Sequence, residues 1–394
     1  MGSNPSSPRK RHWLRWSLVT LAVLLALFYL GGGWYFSGRI KAGGLDPKPP
    51  ERNYDVTIED IDDETVLLAG DDEAIDDPGE YALVWEDGSG LVGDVESITA
   101  DGVRRPYQHA TGTAAPLSPY EVDLDSWYYP TDPADAGLEF EDVQYQSPLG
   151  DFDAWYVPAA DKPTATWAIH AHGWRTDRRE TIRPLAAFHD AGIDSLVIEL
   201  RNDPDAPADP SGLYRFGRTE WQEIEGAVAY ALDRGAEQVI LAGYSTGATG
   251  EMAFLAQSAL AGNVAAVFFD SPNLDFGRAV KVEAGDTALI PGLPMTVPDS
   301  LTAVAMAIAD LRFDVGWEEI NYVDDGATLT VPTLVIHGDA DGTVPLSVSE
   351  DFAATNPALI ELVVFPGADH VRSWNADRAR YEGTLGDFLV ALRR

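Results

Sequence analysis

The chain has 394 residues, 45% of them hydrophobic, which is enough to bury a large core, and it has no cysteine. That excludes a disulfide framework, a thiolate nucleophile and a cysteine-ligated metal. A formal charge of −37 argues against a nucleic-acid partner, because one polyanion repels another.

Residues 1–16 form a polar, basic tail carrying Arg9, Lys10, Arg11 and Arg15. No charged residue lies between Arg15 and Arg39, and the heart of that interval, Ser17 to Leu30, is almost wholly apolar. A helix rising ~1.5 Å per residue over this interval crosses a hydrocarbon layer of roughly 30 Å. Trp13 and Trp16 on one side and Trp34 and Tyr35 on the other fit interfacial anchors. We therefore read 17–36 as a transmembrane signal anchor whose partner is the lipid bilayer. The stronger positive cluster precedes the span, which places the N-terminus in the cytoplasm and the remainder outside the cell membrane. A cleaved signal peptide is the rival, but Gly31-Gly32-Gly33 runs into more aromatic residues rather than a small-residue cleavage site.

Residues 37–51, with Pro47, Pro49 and Pro50, read as a linker. Residues 52–141 hold strand-like pieces (Thr65 to Leu68, Tyr81 to Trp85, Gly90 to Gly93) between acidic, glycine-rich turns, and predict a small β-rich extension. Its acidic runs, Glu59 to Glu64 and Asp71 to Asp77, lack calcium-loop spacing and read as solvated loops. From 142 to 394 strands and helices alternate. Strands are expected at 152–157, 166–170, 195–200, 239–242, 264–269, 333–336 and 360–365, and helices at 178–190, 220–234 and 377–392. Such alternation specifies a mostly parallel sheet with helices on both faces. It is interrupted over 271–320, where proline-rich turns and an apolar helix from Leu301 to Phe313 fit a lid.

The chemistry gathers after the apolar strand Val239 to Ala242. There Gly243-Tyr244-Ser245-Thr246-Gly247 runs directly into a segment suited to a helix. A strand–turn–helix around Gly-x-Ser-x-Gly is a nucleophile elbow, with glycines where bulkier side chains would clash. A serine hydroxyl needs a base, and the base a carboxylate to orient it. Two later strands end in His337-Gly-Asp339-Ala-Asp341 and in Gly367-Ala-Asp369-His370. Both lie at carboxyl ends of strands, where open α/β sheets build their sites. Asp339 and Asp341 are not separable on sequence physics alone, and Asp270 is a third possible acid. The amide of Thr246, at the start of the elbow helix, is one donor for an oxyanion.

In order along the chain, His172-Gly173, Gly243-Tyr-Ser245-Thr-Gly247, His337-Gly-x-x-Asp341-x-x-Val-Pro345 and the Gly-x-x-His370 ending resemble the α/β-hydrolase superfamily of serine hydrolases. The layout of anchor, β-rich stretch and this domain resembles membrane-anchored bacterial hydrolases of esterase-like or peptidase-like type. The resemblance implies the α/β-hydrolase fold, with Ser245 as nucleophile, Asp341 as acid and His370 as base. It also implies the backbone N–H of Trp174 as the second oxyanion donor. Tyr244 fits either an acyl pocket or core packing. The pair His170 and His172 lies on one strand face but completes no metal array, and no cofactor is expected. The cluster Glu199 to Asp203 either binds substrate or pins the loop Pro204 to Pro210. Arg175, Arg178 and Arg179 fit an anionic-group site or a plain helix surface. The expected activity is cleavage of a small acyl substrate, first an ester. A serine-aminopeptidase-like peptidase, an acyltransferase and a non-catalytic membrane-tethered binding module are the alternatives. Oligomeric state is not legible.

Overall fold

A computed structural model describes residues 9–48, 52, 54–70, 72, 74–115, 118–126, 131–160, 164–290 and 292–393. The first half of the basic tail, Pro49, Pro50 and Glu51 of the linker, and Asp71 and Glu73 of the acidic runs lie outside them. The chain divides into two compact units. One joins the N-terminal residues up to Asp46 with Val280–Glu318, and the other holds Pro47–Ala279 and Glu319–Arg394.

In the first unit the apolar N-terminal stretch is helical throughout. Helix Arg9–Ala26 continues through a wider turn at Leu27–Gly31 into helix Gly32–Ile40, and a second wide turn ends it at Leu45. Arg15–Leu45 is long and apolar enough to cross a membrane. Most of the interval expected as a lid belongs to this unit. Helix Asp299–Phe313 packs along Gly32–Ile40. A Cβ on Gly33 would stand 2.8 Å from Val304 Cγ1 and 2.9 Å from Ile308 Cδ1. Glycine is what lets the two backbones approach.

In the second unit, strands β1 (Val56–Ile61), β2 (Thr65–Gly70), β3 (Tyr81–Trp85), β4 (Gly88–Val92), β5 (Ser97–Thr99), β6 (Gly102–Gly112) and β7 (Tyr120–Asp125) lie in the order β2-β1-β7-β3-β4-β6-β5. A further antiparallel pairing of β2 with β6 closes this ribbon, so the β-rich segment is a closed barrel. Closure removes the exposed strand edges that a ribbon would present. Alternate residues fill its interior, among them Val56, Ile58, Val66, Leu68, Leu83 and Val122. Arg105 is buried there, its guanidinium donating to the carbonyls of Ala74, Ile75, Gly79 and Gly93.

The second sheet has eight strands: β8 (Glu141–Ser147), β9 (Gly150–Val157), β10 (Thr166–Ala171), β11 (Asp194–Ile198), β12 (Gln238–Tyr244), β13 (Val264–Asp270), β14 (Thr333–Gly338) and β15 (Ile360–Phe365). Their order is β15-β14-β13-β12-β10-β11-β9-β8, with β10 to β15 parallel and β8 and β9 antiparallel at one edge. Helices Trp221–Asp233, Gly247–Gln257 and Arg378–Ala391 pack against this sheet. Strand β12, fully buried after its first residue, needs the uninterrupted apolar run that the sequence carries. The helix expected over 178–190 is shorter. A single turn at Arg178–Thr181 is followed by helix Leu185–Asp190, because Pro184 cannot donate its missing N–H to a continuous helix.

Barrel and sheet are joined at one seam. Asn375 Nδ2 donates to the carbonyls of Ser126 and Glu80, and Arg183 donates to Asn375 Oδ1 at 2.6 Å. A Cβ on Gly79 would overlap the Asn375 carbonyl oxygen at 1.6 Å, so the barrel seats directly on the backbone just after His370.

Candidate active site

At the end of β12 the backbone turns so sharply that Ser245 adopts φ 49°. This is strained for a residue with a Cβ, and such strain persists only where the surroundings enforce it. The enforcement is visible. Ser245 N donates to Asp270 O at 2.9 Å, and Asn273 N donates to Ser245 O at 3.0 Å. A Cβ on Gly247 would sit 2.0 Å from Ala171 O, and one on Gly243 would sit 2.7 Å from Ala248 N. Both motif glycines are therefore demanded by close approach.

Ser245 Oγ lies 2.8 Å from His370 Nε2, and His370 Nδ1 lies 2.7 Å from Asp341 Oδ2. The three residues come from the ends of β12, β14 and β15, which the parallel order brings to one edge. Asp341 is locked by its other contacts. Its Oδ1 accepts the backbone N–H groups of Thr343 (2.9 Å) and Val344 (2.7 Å). Its Oδ2 also faces His337 Nε2 at 3.0 Å. His337 Nε2 meets both this carboxylate and Val344 O, so it carries the hydrogen, and Nδ1 accepts from Ser349 Oγ at 2.7 Å. Burial works to raise the Asp341 carboxyl, but the His370 charge and the hydrogen bonds from both imidazoles hold it well below the ordinary carboxylate range. Burial likewise works against charge on His370, yet the Asp341 carboxylate prevails and raises its pKa above the ordinary value.

The other acids are otherwise engaged. Asp339 Oδ1 accepts Gly367 N–H at 2.6 Å and Asp369 Oδ1 accepts Gly342 N–H at 2.9 Å, so both brace loops. Asp270 is buried against Tyr381 OH (2.8 Å) and Ser271 Oγ (3.1 Å). Only Asp341 of these faces an imidazole nitrogen of His370 among the described residues.

The loop after β10 passes against the serine. A Cβ on Gly173 would lie 3.0 Å from Ser245 Cβ. Gly173 N is taken by Glu180 Oε2 at 2.6 Å, whereas the amides of Trp174 and Thr246 donate to no acceptor among the described residues. The loop is pinned by His172, whose Nε2 lies 2.8 Å from Asp203 Oδ2 and whose Nδ1 lies 2.9 Å from Gly173 O. Burial opposes the charge of this imidazole, but Asp203 dominates and lifts its pKa to about 9, so both ring nitrogens donate at neutral pH. The cluster Glu199 to Asp203 is thus occupied with structure. Arg201 is buried between Glu223 (2.6 Å) and Asp209 (2.9 Å), and Asn202 Oδ1 caps Asp209 N.

One sequence expectation, Tyr244 in an acyl pocket, finds no support in the geometry. Tyr244 takes its other role, core packing. Its ring is buried in the core with Ile240, Ala242 and Phe268, stacked on His170, because strand alternation points it away from the turn. His170 and His172 have separate partners. His170 is buried against Ser195 Oγ and Tyr244 OH, and burial depresses its pKa to about 3. The acidic group in which a cation would fit by spacing is Asp55, Asp72 and Asp123, whose oxygens lie within 4.8 Å of one another, but Arg52 already pairs with Asp123. Sequence reasoning missed Glu180, which orders the Trp174 turn. Glu180 falls inside the helix expected over 178–190, which gave it no role of its own.

Next to the site a cleft of about 540 Å³ opens between barrel and sheet. Arg175, Thr176 and Tyr214 line it from the sheet domain, and Arg52, Asp123 and Asp125 from the barrel. Tyr214 OH lies 3.3 Å from Thr246 Oγ1, which puts one wall beside the elbow.

This sheet order, with its elbow and the loops that meet there, is the α/β-hydrolase fold. No protein-family model matches the chain. Among solved structures it is similar to the esterase Pf2001 of Pyrococcus furiosus in two crystal forms. One is 18% identical with a TM-score of 0.52 over 66% of this chain and 94% of that one. The other is 19% identical with a TM-score of 0.51 over 66% and 96%. A non-heme haloperoxidase of Rhodococcus erythropolis is 39% identical over 54 residues, 14% of this chain and a fifth of that protein's length.

Proposed function

We propose that the chain is a membrane-anchored serine hydrolase that cleaves carboxylic ester bonds through an acyl-enzyme. The observation that carries the reading is the unbroken relay from Ser245 Oγ through His370 to Asp341, at 2.8 and 2.7 Å. In the mechanism His370 Nε2 takes the serine proton as Oγ attacks the acyl carbon, and Asp341 holds the imidazole in the tautomer that presents a free Nε2. The developing oxyanion is met by the Trp174 and Thr246 amides, fixed donors that need no reorganisation. The imidazolium then protonates the leaving group. Water, deprotonated by the same nitrogen, releases the acyl product and restores Ser245.

The mixed charges of the adjoining cleft favour a substrate with a polar or charged portion, which keeps a serine-aminopeptidase-like peptidase as the second reading. The helix Arg15–Leu45 supports placing the catalytic domain outside the cell membrane with the N-terminus in the cytoplasm. A fluorophosphonate probe tests the function. Stoichiometric labelling lost in Ser245→Ala is expected, and folded protein that does not label would instead be a binding module. Turnover of short nitrophenyl esters against aminoacyl anilides separates esterase from peptidase.

A further inference from the structure

No charged residue lies between Asp286 and Asp299, in a chain where charged residues make up 23%. This stretch joins helix Phe276–Asp286 to helix Asp299–Phe313 as a small antiparallel hairpin. Leu289 N donates to Met295 O (2.7 Å), Val297 N donates to Thr287 O (3.0 Å), and Ala288 bridges Thr296. Its tip turns apolar side chains outward, with Ile290, Leu293 and Met295 each about half exposed. Together these three side chains make an exposed apolar surface on a short hairpin.

The packing of the first unit says where that surface lies along the N-terminal helix. Tyr29 OH meets Ser300 Oγ at 3.0 Å, Gly32 and Gly33 meet Leu301, Val304 and Ile308, and Arg312 donates to Trp34 O and Ser37 Oγ. Lys41 lies over the Phe313 ring. The contacts advance together in both segments, so the two helices run parallel. The cationic end, with Arg39, Lys41 and Arg312, is at the carboxyl side, and the hairpin precedes the other end. Helical rise puts Tyr29 about 7.5 Å deeper than Trp34. If Trp34 and Tyr35 mark the interface, the first turn of Asp299–Phe313 already reaches the acyl boundary, and the hairpin runs into the helix at that end.

We propose that Ile290, Leu293 and Met295 of this hairpin insert into the outer leaflet of the membrane that Arg15–Leu45 crosses, giving the chain a second, monotopic contact with lipid. The inference rests on the reading of 17–36 as a membrane span, and the test separates the two.

The chain has no cysteine, so a single one introduced at Leu24, Leu293 or Asp387 gives a unique attachment point for an environment-sensitive nitrobenzoxadiazole dye. Each labelled full-length protein is reconstituted in phosphatidylcholine vesicles with and without bromine on the acyl chains, and fluorophosphonate labelling of Ser245 checks that it is folded. Quenching of at least twofold is expected for Leu24→Cys and Leu293→Cys, with none for the exposed Asp387→Cys. Quenching at Leu24→Cys alone overturns the inference and leaves the span standing. No quenching at either overturns both. Blue-shifted emission at Leu293→Cys that bromine does not quench, and that unlabelled protein dilutes away, assigns the hairpin to a second copy of the chain and overturns the lipid proposal.

Discussion

Asp341→Asn isolates what the carboxylate contributes, and the structure fixes how the amide must sit. Oδ1 accepts two main-chain N–H groups, from Thr343 and Val344, which cannot turn away. The single amide oxygen is therefore held there, and the NH₂ takes the Oδ2 place, facing His370 Nδ1 and His337 Nε2. His370 must then accept at Nδ1 and carry its hydrogen on Nε2, the nitrogen 2.8 Å from Ser245 Oγ. A base that presents N–H to the nucleophile cannot take its proton. Loss of tautomer control of this kind costs ~10⁴-fold in kcat, or about 5.4 kcal/mol of transition-state stabilisation. The assay is steady-state and single-turnover hydrolysis of a nitrophenyl ester, with fluorophosphonate labelling rates beside it. Retention of more than a tenth of wild-type kcat, or a larger loss in Asp339→Asn, would refute the reasoning.

Three further outcomes follow from the same geometry. Because Asp341 raises His370, kcat/KM should rise with pH to a plateau with its midpoint above the usual histidine value of ~6.5; a pH–rate profile checks this, and a midpoint below 6 would contradict it. His172 is raised to about 9 by Asp203, so its stabilisation is fully present below its unfolded pKa of ~6.5 and is lost as pH climbs through 9. Asp203→Asn should lower stability by about 3 kcal/mol at pH 6 and flatten the alkaline fall in Tm, as followed by thermal denaturation from pH 6 to 10. Gly247→Ala drives a Cβ to 2.0 Å from a main-chain oxygen and should cost at least about 3 kcal/mol in urea unfolding, together with activity.

The elbow was legible because a strand buried on both faces shows as a continuous apolar run, and because the tight turn admits only glycine at 243 and 247. Ser245 and His370 followed from chemistry and chain order. The choice of Asp341 over Asp339 did not, since both carboxylates lie on one loop; it depends on which of them the Thr343 and Val344 amides fold around. Tyr244 was readable in principle, as it shares a strand face with Ala242 and Ile240. Glu180 was hidden because Pro184 shortens a segment whose pattern suits a longer helix. Barrel closure was not legible at all. It rests on β2 meeting β6 some forty residues away in sequence, and no local periodicity encodes such a pairing.

The seam at Asn375 ties the inheritance of the two folded parts together. His370 sits five residues before a side chain that holds barrel carbonyls, and Gly79 leaves no gap at the joint. A lineage that discarded the barrel would strand Asn375 and Arg183 with unmet polar groups close to His370 in the chain. Recombination or truncation at this border should therefore be rare, and where it has happened, the residues following the histidine should have been rewritten.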